Sequence, residues 1–305
     1  MLTSVAFVFP GQGSQVVGMG ADLCARSAIA RELFSEADAA LGFALSRIVL
    51  EGPEETLRQT AFTQPAILLV SIAAYRILDL EPAVVAGHSL GEYSALVAAG
   101  SLTFRDAIQL VHKRGRYMQE AVPEGEGAML ALIGAESAAV AAAIAADGGA
   151  VDIANDNAPG QVVIAGAAAA ARRVAAAAGA RQAIELPVSA PFHCRLMAPA
   201  EARLRLDLDA LPIAPPRLPV YCNVDAVRVS TAAAVRDALA RQVSRTVRWT
   251  ELVRRMITDE QLTTCVEVGP GAVLSGLIRR IDRSVQRLQV ADAATIDAVR
   301  TQLTA

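Results

Sequence analysis

The stretch Ala83-Val84-Val85-Ala86-Gly87-His88-Ser89-Leu90-Gly91-Glu92 decides how this chain is read. Its first four residues form an apolar strand run, and Glu92 to Ala99 reads as a helix. Strand, Gly-x-Ser-x-Gly, helix is the layout of a nucleophile elbow. The turn is too tight for side chains at its flanks, so glycine stands at 87 and 91. The Ser89 hydroxyl is lifted clear of the sheet with a helix N-terminus behind it. That dipole favours the negative charge that develops when a serine attacks an ester or thioester. The competing reading is an ordinary strand-to-helix turn without chemistry.

Outward from the elbow, apolar strand-like runs alternate with helical stretches, starting with a strand over Val5 to Phe9. This predicts an α/β fold with a mainly parallel sheet. Residues 127 to 187 break the pattern. Strands are expected at Ala128 to Ile133, Val151 to Ala154, Val162 to Ala165 and Gln182 to Leu186, with Ala-rich helices over Glu136 to Ala146 and Ala167 to Ala178. The order β-α-β-β-α-β is that of a ferredoxin-like unit. Pro123-Glu124-Gly125 introduces it and Pro187 closes it, as boundary residues should. The division expected is a large domain of residues 1–124 and 190–305 with a small domain, 125–189, inserted into it, and the cleft between them is a natural substrate site. The alternative for the Ala-rich stretches is flexible low-complexity linker.

The 305 residues are 53% hydrophobic and 19% charged, with a net charge of −3, so a substantial core is expected and no global positive field invites nucleic acid. Lys113 is the only lysine among 28 basic residues and sits in no phosphate-loop pattern. Four scattered cysteines, Cys24, Cys194, Cys222 and Cys265, show no metal spacing. With no signal-peptide pattern, this points to a reducing cytoplasm. The longest apolar run, near Ala66 to Tyr75, reads as too short to span a bilayer.

A serine needs a base at neutral pH, and histidine suits the task. Of His88, His112 and His193, the first should point away along the strand end, and the second lies one step round from the apolar stripe of the helix Arg105 to Ala121. His193, in the loop Ser189-Ala190-Pro191-Phe192-His193-Cys194, is the best base by elimination. No carboxylate announces itself as its partner: Asp106, Asp152 and Asp156 lie in no motif, and a backbone carbonyl would orient the ring equally well. Arg114 shares an otherwise apolar helix face with Ala107, Val111 and Met118. A buried guanidinium requires an anionic partner, either an internal Asp or Glu or the carboxylate of a substrate, which its planar fork matches. Phe9-Pro10-Gly11-Gln12-Gly13-Ser14-Gln15 fails as a dinucleotide fingerprint because Val16 holds the third glycine position. It fits better as an oxyanion loop, with the backbone N–H groups of Gln12 and Leu90 as donors.

Together these pieces resemble the malonyl-CoA:acyl carrier protein transacylases of fatty acid synthesis and the related acyltransferase domains of polyketide synthases. The runs that carry the resemblance are residues 9–15, 87–96 and 114–123, Asn-Ala-Pro-Gly-Gln-Val-Val-Ile-Ala-Gly at 157–166, Pro-Phe-His at 191–193 and Glu-Val-Gly-Pro-Gly at 267–271. The resemblance implies an α/β-hydrolase-like large domain with a ferredoxin-like small one. It implies that Ser89 carries the malonyl ester, that His193 is base and then acid, and that Arg114 binds the malonyl carboxylate. It further implies that Gln12 and Leu90 form the oxyanion hole and that the main-chain carbonyl of Gln242 holds the histidine. Asn157 and Gln161 match pocket-lining positions, Met118 and Phe192 join Arg114 around the substrate, and Phe192 and Leu90 look like the malonyl-selective variants. A CoA thioester is then a substrate rather than a cofactor, no metal is needed, and the partner is an acyl carrier protein. A free-standing monomer is the family default, and the composition read above leads to the expectation of a cytoplasmic protein with no membrane or nucleic-acid partner. Arg245-Thr246-Val247-Arg248-Trp249 departs from the family's Asn-Pro-Val and is expected to bear on carrier docking. Arg116, Arg195, Arg279 and Arg280 are candidates for a basic patch facing an acidic carrier. The rival readings are a serine thioesterase or hydrolase on the same elbow, a polyketide acyltransferase acting in trans, and a non-catalytic subunit of a synthase.

Overall fold

The computed structural model describes residues 2–304 except Glu124; that member of the expected boundary turn lies outside the described residues, as does Met1. Ten strands form two sheets. In chain order they are β1 (Leu2–Phe9), β2 (Pro82–Gly87), β3 (Gly127–Ile133), β4 (Val151–Ala158), β5 (Gln161–Ala167), β6 (Gln182–Glu185), β7 (Val220–Tyr221), β8 (Arg228–Val229), β9 (Thr264–Val268) and β10 (Gln286–Val290).

The larger sheet has the order β10-β9-β1-β2-β7-β8, and every neighbouring pair is parallel except β7 and β8. Its central strands are buried on both faces, which is why β1 and β2 read as continuous apolar runs rather than alternating ones. Phe9 pairs with Gly87, so β1 and β2 end level with each other and the loops that follow leave the same sheet edge. Loops at the carboxyl ends of parallel strands are where such sheets bind ligands.

The helix Thr60–Leu78 corrects the sequence reading. Its 19 residues are long and apolar enough to cross a membrane by length and composition, whereas the run near Ala66 to Tyr75 reads as too short. It lies inside the protein: 78% of its apolar window is buried, against the helices Ala28–Leu41 and Phe104–Glu120.

The smaller sheet is antiparallel throughout, with the order β4-β5-β3-β6. The helices Ser137–Asp147 and Ala168–Ala177 cover it and enclose a separate core of Leu132, Val140, Val151, Ile164 and Val174. The Ala-rich stretches are thus packed helices, not linkers. One seam joins the sheets. Val247 N–H donates to Ala154 O (2.9 Å), Asp156 N–H donates to Val247 O (3.0 Å), and the Thr246 hydroxyl donates to Ile153 O (2.6 Å). Val247 and Trp249 are fully buried. The segment expected to bear on carrier docking thus fastens the sheets through Val247 and Trp249, while Arg245 is exposed and Thr246 and Arg248 are half-buried.

Gly91 sits where the elbow helix crosses β1, and a Cβ there would lie 2.0 Å from the Phe9 carbonyl oxygen. Because the obstacle is backbone, Gly91→Ala is expected to destabilise the fold by about 3 kcal/mol, seen as a lower urea midpoint.

Candidate active site

Ser89 follows β2 in the left-handed region, at φ 51°. A non-glycine residue persists there only when its surroundings hold it. Asn223 supplies the hold: its Oδ1 accepts from Ser89 N–H (2.6 Å) and its Nδ2 donates to Gly87 O (2.7 Å). The helix Gly91–Ala98 begins two residues later, with its N-terminus toward the hydroxyl.

His193 is also left-handed, at φ 58°, and only 4% exposed. Its Nε2 lies 2.7 Å from Ser89 Oγ, and its Nδ1 lies 2.7 Å from the Gln242 carbonyl oxygen. A carbonyl can only accept, so Nδ1 carries the proton and Nε2 offers its lone pair to the serine. Burial and the nearby Arg114 charge push the imidazole down to about 3, against the favourable bond to Gln242. It is a neutral base at physiological pH. The three aspartates weighed as partners are engaged elsewhere: Asp106 at the helix cap Thr103, Asp152 with Arg195, and Asp156 with Thr250. Of the other histidines, His88 turns to Asn157 Oδ1 (2.8 Å) and Trp249, and His112 bonds Ala61 O (2.8 Å).

Arg114 is 1% exposed. Its Nη1 donates to Gln64 Oε1 (2.8 Å), and its Nη2 donates to Gln242 Oε1 (2.9 Å) and Ser89 Oγ (3.2 Å). The guanidinium lies near the Tyr93 ring, 5.5 Å from its centroid. It makes no ion pair among the described residues. Behind it, Glu92 accepts from Gln242 Nε2 (2.8 Å) and Asn223 N–H (2.9 Å). Burial pushes this carboxyl up to about 7, against its hydrogen bonds and the Arg114 charge.

The alcohol, imidazole and guanidinium thus meet in one crevice, a cavity of about 120 Å³ also lined by Gln12, Leu90, Met118 and Phe192. The Leu90 and Gln12 backbone N–H groups donate to no other group among the described residues, so both remain available to an oxyanion. Two residues named from the sequence are not on this wall. Asn157 is spent on His88, and Gln161 lies in the β4–β5 hairpin opposite Ala158; Asn155 lines the cavity instead. The four arginines offered as a carrier patch lie outside the crevice. Arg195 is tied to Asp152 and Arg116 to Glu120, while Arg279 and Arg280 occupy the last turn of the helix Val273–Ile281. Sequence reasoning missed Glu92, Asn223, Gln64 and Asn155. Glu92 follows Gly91 directly in the elbow run, and Gln64 is a polar residue inside an apolar helix; Asn223 carries no local signal. No group of His, Cys, Asp and Glu able to hold a metal occurs among the described residues.

The acyl transferase domain family matches residues 6–301, and the chain belongs to that family. Among its relatives are malonyl CoA-acyl carrier protein transacylases. The Salmonella typhimurium protein of that name is 47% identical over 310 residues, 99% of this chain and 100% of its own. The solved structure of the Coxiella burnetii transacylase matches with a TM-score of 0.96 at 44% identity, covering 100% of this chain and 99% of that one. A malonyl-transacylase solved in complex with its type II polyketide synthase acyl-carrier protein matches with a TM-score of 0.95 at 44% identity, over 98% of this chain and 99% of that one.

A depressed imidazole fixes the sign of a pH effect. The unfolded chain protonates His193 near 6.5 and the folded one only near 3, so this residue's contribution is lost as the pH falls through that window. The unfolding free energy of the wild type relative to His193→Gln is expected to fall by up to about 1.4 kcal/mol per pH unit between pH 6 and 4. Glu92 acts with the opposite sign but is common to both proteins. NMR of the imidazole should show it neutral at pH 5.

Proposed function

We propose that this chain moves a malonyl group from malonyl-CoA to the phosphopantetheine thiol of an acyl carrier protein through an ester on Ser89. The observation that carries the reading is a guanidinium with no carboxylate partner, 3.2 Å from the nucleophile oxygen. It asks for an acyl group with its own carboxylate, which ordinary ester substrates lack.

The steps follow from the geometry. The malonyl carboxylate takes the Arg114 fork, which brings the thioester carbon to Ser89 Oγ. His193 Nε2 removes the serine proton as the carbon–oxygen bond forms, with the oxyanion on the Leu90 and Gln12 amides. The carbon–sulfur bond breaks, and the imidazolium returns the proton to the CoA sulfur. The carrier thiol then attacks the ester by the reverse route. A second cavity of about 460 Å³ shares Gln12, Leu186 and Val188 with the first and suits the pantetheine arm. Met118 and Phe192 shape the acyl end. Residues 125–189 are read as an inserted domain that closes one side of the cleft. CoA enters as a substrate, and the chemistry calls for no metal or redox cofactor. The protein is read as a cytoplasmic monomer.

Brief mixing with labelled malonyl-CoA should label the wild type and leave Ser89→Ala unlabelled; a labelled variant overturns the assignment. Arg114→Ala should lower kcat/KM for malonyl-CoA about 100-fold relative to acetyl-CoA. Equal losses with both donors would make Arg114 structural.

A further inference from the structure

The site holds a buried carboxylate that the acyl transfer steps do not use. Glu92 is 2% exposed and makes no ion pair among the described residues. Its Oε2 accepts from Gln242 Nε2, while Gln242 Oε1 accepts from Arg114 Nη2. One amide therefore bridges the buried anion and the buried cation, 2.8 Å from one and 2.9 Å from the other. We propose that Glu92 is the resident counter-ion of Arg114, acting through the Gln242 amide, and that it takes up a proton when the malonyl carboxylate arrives. This inference rests on the function proposed above.

The argument is charge conservation in a dry site. In the empty site one negative group offsets one positive group, each too buried to stand alone. A malonyl carboxylate on Arg114 makes two anions against one cation, and protonating one of them removes the excess. The cargo carboxylate sits directly on the guanidinium, so Glu92, an amide away, is the one to be neutralised. The groups facing Glu92 are Arg114 from the helix Phe104–Glu120, Cys222 and Asp225 after β7, and Tyr93 on its own helix. Asp225 is paired with Arg241, and burial pushes Tyr93 up to about 12 and Cys222 up to about 11. Glu92 is the member of this set that can change charge near neutral pH. Glu92 is thus a positioning residue that acts through Gln242.

Acyl transfer itself exchanges no proton with solvent, because the serine proton leaves on the CoA thiol. Proton uptake is therefore a direct readout. The whole enzyme, in weak buffer with a pH indicator at pH 7.5, is mixed with malonyl-CoA or acetyl-CoA while Ser89 labelling is followed in parallel. Malonyl loading should take up about half a proton or more per site, and acetyl loading much less. Glu92→Gln should still be labelled by malonyl-CoA but show no uptake, and its malonyl-to-acetyl selectivity should rise about 10-fold because Arg114 has lost its resident anion. Equal uptake with both donors, labelling of the wild type without uptake, or uptake persisting in labelled Glu92→Gln overturns the proposal. If Glu92→Gln does not fold, the comparison of donors on the wild type decides. A wild type that malonyl-CoA does not label sinks the proposed function instead.

Discussion

A guanidinium with 1% exposure cannot be left to water, and the site is built around answering it. Arg114 reaches three parts of the fold at once: Gln64 in the buried helix, Gln242 at the end of the helix Ala232–Gln242, and Ser89 at the elbow. Two of these answers are neutral amide oxygens. They satisfy hydrogen bonds without cancelling the charge. The result is a donor fork held rigid yet still seeking an anion, which is what selecting a diacid half-ester requires. A direct Asp or Glu partner would have bound the fork and closed the site to its cargo.

The same economy explains the histidine. In many serine enzymes a carboxylate orients the imidazole. Here the Gln242 carbonyl does so, at 2.7 Å. A carbonyl dipole fixes the tautomer without adding net negative charge to a crevice that must receive an anion. A carboxylate at that place would compete with the substrate for Arg114. The cost is a weakly basic imidazole, held down by burial and by the nearby Arg114 charge.

How far the sequence reached follows from the range of each signal. The elbow is local, so Gly87, Ser89 and Gly91 were legible from steric need, and the parallel sheet from apolar runs buried on both faces. The small sheet was legible because its elements alternate cleanly. Arg114 stood out as a charge on an apolar helix stripe. Glu92, Asn223 and Gln64 were not found, because most of their partners lie 50 or more positions away and no spacing rule encodes them. The exchange of Asn157 for Asn155 has a definite cause. The pairing of β4 with β5 shifts between Ile153 and Asn155 and again between Asp156 and Ala158. Each irregularity re-aims the side chains that follow, so alternation does not tell which asparagine faces the cavity. Counting charges from sequence also cannot show that Arg195 is already paired with Asp152.

That irregular strand is also where the two sheets are coupled. Val247 bridges to Asn155, within the shifted stretch of β4. Five residues earlier, Gln242 gives its carbonyl to His193 and its amide to Arg114 and Glu92, and the Val243 carbonyl accepts from His193 N–H at 3.2 Å. One short run of chain, Gln242 to Trp249, therefore sets the base, the cation and the wall that Asn155 adds to the cavity. This run is one link between the small sheet and the imidazole, and Met129 and Asn155 of the small sheet also meet the cavity directly. The backbone bonds of Val247 thus tie the small sheet to the same stretch of chain that orients the imidazole.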